Sequence, residues 1–296
     1  MKSKSTPLII GILFVLLCCL LIALGAFFFQ TRPPGVLSDS GYYVRLIRVY
    51  YYPGFGLSEA FVIQGADPFS FQIIDSVYAK DKTHVYYSGV QIPDADPATF
   101  ELLDSTYARD ARHVYLNSQI FNDDPENFEN ISGNIFRDSH YIYWNDAPIS
   151  EDPQNLVVLG DFGFYTYFND SQTVFVNGNP ITGADPNTFQ VINEGYSHDS
   201  KNVFYFDELI SNAEVTTFET LEQQYARDAA NVYWMGNPIP DSDPASFVIL
   251  NADFECTADA THAYYQDQLI EGFDPATIPT NAQVNSCDLT TVYFTP

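Results

Sequence analysis

The sequence predicts an all-β array of about eight β-hairpin repeats of roughly 29 residues, placed after one N-terminal transmembrane helix. Three observations predict it. A turn motif recurs through the chain, as in YAKDKTHVYY from Tyr78, YARDARHVYL from Tyr107 and YARDAANVYW from Tyr225. An acidic residue, followed by Pro in all but one copy, precedes each motif, with a large apolar residue four positions after the acid. The stretch Leu8–Phe29 is apolar without one charged side chain.

That N-terminal stretch comes first in the chain. As a helix its 22 residues would extend about 33 Å, close to the ~30 Å hydrocarbon thickness of a bilayer. A cleaved signal peptide is the competing reading, since Ala23-Leu24-Gly25 loosely resembles a small-residue cleavage site. The run continues through Phe27, Phe28 and Phe29 and exceeds a signal h-region, which favours an uncleaved anchor. Lys2 and Lys4 put residues 1–7 on the cytoplasmic side, so a single pass sends the rest outward. Residues 30–41, with Arg32-Pro33-Pro34-Gly35, read as a linker, and 42–296 as the extracytoplasmic repeat domain.

The repeat is counted on its turn aspartates, Asp81, Asp110, Asp138, Asp170, Asp199, Asp228, Asp259 and Asp288, which are 28 to 32 residues apart. The preceding acids are Asp67, Asp96, Asp124, Asp152, Asp185, Glu214, Asp243 and Asp274. Six of the eight pairs are 14 residues apart; the fourth is 18 and the seventh 16, marking insertions of four and two residues. Asp-Pro starts one helical or 3₁₀ turn, with the carboxylate capping and Pro in the first position. The apolar residue four places on then packs inward. A short apolar strand such as FELL at 100–103 follows, then Tyr-Ala-Arg, the Asp turn, and a return strand Val-Tyr-Tyr. Ser88-Gly89 or Asn177-Gly178 turns the chain again. Two or three short strands cannot bury a core alone, so neighbouring copies must stack. A propeller-like ring is the alternative to an open solenoid-like stack, although its blades usually need four strands and about 40 residues. Val49-Tyr50-Tyr51 looks like a partial copy at the start.

Composition narrows the function. All 38 acidic residues follow the apolar run, with 10 of the 12 basic ones (all but Lys2 and Lys4), a formal charge near −28 for that part. Such a field repels phosphate backbones and argues against nucleic acid. With 46% hydrophobic and 16% aromatic residues, the chain is folded rather than disordered. Cys18 and Cys19 fall in the apolar run. Cys256 and Cys287 fall in the exported part, where disulfides persist. Uncorrected register would leave their Cα atoms about 8 Å apart, beyond disulfide reach, unless the insertion in the seventh copy adjusts it.

Together the turn-and-strand motif, as DKTHVYY at 81–87 and DSKNVFY at 199–205, and its Asp-Pro-x-x-Phe partner resemble the DKNYY family of bacterial repeat proteins over roughly residues 49–296. The resemblance implies a repeat often attached to a membrane segment. It brings no established activity and no catalytic residue.

The copies serve as internal variants for judging candidate chemistry. The position three after the turn Asp holds His84, His113, Tyr141, Thr173, Asn202, Asn231, His262 and Thr291, an exchange that no metal ligand or general base would tolerate. The position before the Asp is often basic, as in Lys80, Arg109, Arg137 and Arg227; it reads as a charge ladder or as a groove for an anionic polymer. No cofactor is expected, with calcium as the exception to consider, at Asp94, Asp96, Asp241 and Asp243. The residue after the Val is aromatic in every copy, and the next one is often aromatic too. Strand alternation puts these two columns on opposite faces, one completing the core and the other forming a surface ladder. As a binding platform the columns nominate Tyr86, Tyr115, Tyr143, Trp144, Tyr233, Trp234 and Tyr264. The functional expectation is a membrane-anchored binding or scaffolding surface for envelope polysaccharide or protein. The alternative is an exported hydrolase of envelope glycan or peptide, its site in the non-repeating stretch with Asp161, Tyr165 and Tyr167.

Overall fold

The computed structural model describes residues 17–25, 27, 32–34, 39–54 and 59–295. Of the apolar run 8–29, residues 17–25 and 27 are helical, with Leu20, Leu21 and Ile22 exposed; the remainder of the predicted anchor lies outside the described residues. Among the described residues no helix is long and apolar enough to cross a membrane.

The rest is all-β. Among the described residues there are seven four-stranded antiparallel sheets, preceded by a three-stranded sheet and followed by a two-stranded one. Each four-stranded sheet is a meander in chain order. The first consists of Gln72–Ile73, Tyr78–Lys80, Val85–Tyr87 and Val90–Gln91. Four strands per copy therefore replace the two or three expected. The outer strands are often only two residues long, too short to leave a periodic signal in the sequence. The partial copy at Val49 forms the three-stranded sheet Gly41–Val44, Val49–Tyr52 and Phe61–Val62.

Local chemistry explains each turn of the meander. Asp75 Oδ1 accepts the N–H groups of Val77 and Tyr78, closing the first connection at 2.8 and 2.5 Å. Asp81 closes the second. Ser88 and Gly89 close the third with φ of 49° and 78°, the pair of left-handed residues that suits a two-residue hairpin. Ile92 then leads into the Asp-Pro segment of the next copy. There Asp96 Oδ1 accepts Ala98 N–H at 2.9 Å and Phe100 N–H donates to Asp96 O at 3.0 Å, the capped turn that the sequence predicts.

The chain divides into two compact units, residues 1–128 and 129–296. Within the first, sheets pack face to face through interleaved side chains. Tyr78 and Val85 of one sheet meet Ala108 and Tyr115 of the next, with Ile92 and Phe100 from the connection filling the layer. Within the second unit the same layer is built from Tyr196, Val203, Ile210, Phe218, Ala226 and Tyr233, and again from Tyr225, Val232, Ile239, Phe247 and Tyr264. Both faces of a middle sheet are thus buried. A small residue sits across from the large aromatic: Ala79 pairs with Tyr86, Ala108 with Tyr115 and Ala226 with Tyr233.

At two places the second aromatic column packs over the following copy's glycine turn. A Cβ placed on Gly178, whose φ is 77°, would lie 2.5 Å from the Trp144 ring. One on Gly236 would lie 2.6 Å from Tyr205. Gly183 has a similar φ of 85° but open space around it. Gly178→Ala is therefore expected to cost about 2–4 kcal/mol, strain and overpacking together, against about 1–2 kcal/mol for Gly183→Ala. Chemical denaturation of both variants measures the difference; equal losses would remove the packing role of Trp144.

The second unit ends in a turned-over hairpin, Gln283–Asp288 with Thr291–Thr295. Here Val284, Cys287 and Val292 face the preceding sheet, and Tyr293 is 49% exposed although its counterparts are buried. The Cys256 and Cys287 sulfurs are bonded, with Cα atoms 5.7 Å apart. Turning the hairpin over brings the position before the turn Asp onto the preceding copy, which meets the distance that regular stacking would miss. It also leaves Gln283, Asn285 and Thr295 outward, a polar end to the stack.

Candidate functional site

The recurring polar constellation is built around the turn aspartate. Asp81 Oδ1 accepts the N–H groups of Thr83 and His84 at 2.7 and 2.8 Å. Its Oδ2 accepts the N–H of Asp67 at 3.0 Å and the hydroxyl of Tyr86 at 2.8 Å. Asp110 repeats the set with Arg112 and His113, then Asp96 and Tyr115. Asp228 does so with Ala230 and Asn231, then Glu214 and Tyr233. Asp259 does so with Thr261 and His262, then Asp243 and Tyr264. The second carboxylate receives the first acid's backbone N–H across 14 residues in most copies and across 16 between Asp243 and Asp259, where the two inserted residues leave the bond intact. Pro at the next position cannot compete for that bond because it has no N–H.

Burial is the largest influence on the Asp81 carboxyl and pushes its pKa up. The Asp67, Thr83 and His84 amides and the Tyr86 hydroxyl together outweigh burial and bring the pKa down to about 2. Asp259 is likewise held at about 2, and Asp110, Asp199 and Asp228 are lowered by the same balance. The phenols respond oppositely: burial first, then the hydrogen bond to the carboxylate, raises Tyr86, Tyr115, Tyr233 and Tyr264 far above the ordinary tyrosine value. The pairs are thus ionised Asp and neutral Tyr across the physiological range.

This arrangement corrects the expected aromatic platform. Tyr86, Tyr115, Tyr143, Tyr233 and Tyr264 lie in the core with their hydroxyls on aspartates, so they offer no face to a ligand. Trp144 covers Gly178 and stacks on Phe168 at 6.0 Å. Trp234 packs against the layer of Tyr225, Val232 and Phe247. Alternation separates the two columns, but in a middle sheet both faces pack against neighbouring copies.

The cations are engaged as well. Arg109 donates through Nε to Glu101 at 2.8 Å and through Nη1 to Pro125 O at 3.0 Å. Arg137 and Arg227 repeat this with Glu129 and Pro153, and with Glu219 and Pro244. Lys80 Nζ donates to Phe100 O. The row clamps one copy to the Asp-Pro turn of the next, with partly exposed ion pairs worth about 0.2–1 kcal/mol each. It is not an open anion groove. The calcium candidates Asp96 and Asp243 receive a backbone N–H on one oxygen and a Thr99 or Ser246 hydroxyl on the other. Asp94 and Asp241 hold left-handed turn positions, φ 61° and 60°, two residues earlier.

One column escaped the sequence reading. Ser70, Thr99, Thr188, Thr217 and Ser246, three residues after the acid, each accept an N–H from the turn at the next aspartate while donating to the preceding acid. Its signal was present as a hydroxyl recurring in register.

The fourth copy departs from the rule. Phe175 has no hydroxyl, and Ser150 Oγ donates to Asp170 Oδ2 instead, at 2.5 Å. Ser171 Oγ donates to Asp152. These residues line a polar recess of about 630 Å³. The four inserted residues lengthen the hairpin Val157–Asp161 with Thr166–Asn169. Asp161 accepts from Gly163 N–H and the Ser132 hydroxyl, both at 3.0 Å. Tyr167 is buried and donates to Glu194 O, and Tyr165 packs on Phe206 at 4.4 Å between centroids. The three candidates of the hydrolase alternative thus have separate structural partners.

These features define an all-β repeat protein whose recurring polar groups bind one copy to the next. The chain belongs to the DKNYY family, which matches residues 35–119, 107–235 and 225–293. No curated protein and no solved structure matches it.

The aspartate pKa values set a pH dependence. Each folded value lies below the unfolded value near 3.9, so the stabilisation is complete above about pH 4 and is lost as pH falls toward about 2. The urea midpoint is expected to change little from neutral pH to about 5 and to fall steeply below about 4. A midpoint that holds steady down to pH 2 would contradict the assignment.

Proposed function

We propose that this is a membrane-anchored, extracytoplasmic repeat protein serving as a binding or scaffolding surface at the cell envelope, for an envelope polysaccharide or protein. The observation that carries this reading is the engagement of the repeated polar groups. The aspartates, tyrosines and arginines that resembled chemistry are hydrogen-bonded to the fold. What remains for function is extended surface. The apolar run Leu8–Phe29 behind Lys2 and Lys4 supports an anchor with the repeats outside. The Cys256–Cys287 bond supports an oxidising compartment, where such bonds persist.

Protease treatment of intact cells, followed by photo-crosslinking of the full chain in place, tests both parts. The repeats are expected to be digested from outside, with the short N-terminus protected, and the undigested chain to crosslink to envelope material. A protected repeat domain with Cys256 and Cys287 reduced would refute the location. A correctly placed chain with no crosslinked partner would refute the binding role.

A further inference from the structure

The fourth and fifth copies carry an aromatic patch that the other copies lack. The lengthened hairpin ends in Phe162-Gly163-Phe164, with Gly163 at φ 83° making the tip. Phe164 is 87% exposed and Phe162 is 42% exposed. Beside the hairpin, Tyr165 packs on Phe206, which in turn packs on Tyr205 at 4.6 Å. Phe206 occupies the first left-handed position of its turn, φ 52°. Ser88, Asn117, Asn145 and Asn177 hold that place in the first four copies, and Met235 and Gln266 in the sixth and seventh. A bulky aromatic there carries strain of about 1–3 kcal/mol, which small polar residues avoid. The Phe206 ring is partly buried against the layer of Tyr167, Val176 and Phe204, and with Tyr165 it walls the inner side of the patch.

The charges around the patch have one sign. Asp161, Glu194 and Asp207 are exposed. Tyr167 donates to Glu194 O at 3.0 Å and Asp207 directly follows Phe206, so both acids lie by the rings. No Lys or Arg occurs between Arg137 and Lys201, nor between Lys201 and Arg227. Aromatic faces bordered by uncompensated carboxylates match cationic side chains, which stack on the rings while their charge meets the acids.

We propose that the patch of Phe162, Phe164, Tyr165 and Phe206, bordered by Glu194 and Asp207, binds an Arg- or Lys-rich polypeptide segment. The proposal rests on the binding role above and names its site and partner class. The probe is a short fluorescent peptide of alternating Arg and Ser, titrated with the full chain at about 0.15 M ionic strength. Phe164→Ala and Phe206→Asn leave every charge in place, and each is expected to weaken binding about tenfold. Phe69→Ala removes an equally exposed ring in the first unit and is expected to bind as the parent does.

Equal affinity for all four proteins would show diffuse electrostatic attraction and overturn the proposal, as would no binding by the parent. A neutral oligosaccharide that binds through the same rings, with the peptide unbound, would assign the patch to glycan instead. If the peptide fails while crosslinking to envelope material persists unchanged in Phe164→Ala, the patch proposal fails and the binding role stands. If crosslinking is absent as well, the role itself fails.

Discussion

The structure depends on one interaction: a buried, ionised aspartate whose two oxygens are divided between its own turn and the segment arriving from the previous copy. Oδ1 fixes the hairpin by accepting two backbone N–H groups. Oδ2 fixes the connection by accepting a third, with a tyrosine hydroxyl completing the shell. A charge taken out of water is costly unless it is fully hydrogen-bonded, and four donors meet that requirement here. The same bonds set the pairing of the two acids, the identity of the aromatic after Val, and the position of the Asp-Pro turn.

Once this node is in place, the remaining positions follow from packing. The aromatic that reaches the aspartate fills the layer toward the preceding sheet, so the residue across from it is small in most copies. The next aromatic, as Trp144 and Tyr205, lies over the glycine turn of the following copy. Arginine before the turn reaches the next Asp-Pro carbonyl. Departures are compensated locally. Ser150 supplies the hydroxyl that Phe175 lacks, and Asn202 turns its amide toward Asp199 where Phe204 does the same. The final hairpin has only two strands, and it is secured by reversal and by a disulfide.

Much of this was legible in the sequence, because repetition turns one chain into eight aligned examples. The period, the turn aspartate and the Asp-Pro cap all follow from comparing copies. Three features did not. Outer strands such as Gln72–Ile73 are too short for alternation to register. Alternation also separates Tyr86 from Tyr87 without telling which face is wet, and in this fold neither is fully so. The partners of Arg109 lie at Glu101 and Pro125, on either side in sequence, and only stacking brings them together. The candidate surface is where the repeat rule breaks, at Phe162, Phe164 and Phe206. The insertion pointed to that region, but its chemistry depends on ring packing that sequence order does not reveal.

The central claim is energetic coupling between the aspartate and the tyrosine of one copy, and a double-mutant cycle on Asp110 and Tyr115 measures it most directly. Unfolding free energies are compared for the parent, Asp110→Asn, Tyr115→Phe and the double variant. A buried charged hydrogen bond predicts that the two losses fall short of adding, with a coupling of about 1–3 kcal/mol. Strict additivity, with the double variant losing the sum of the single losses, would contradict the account.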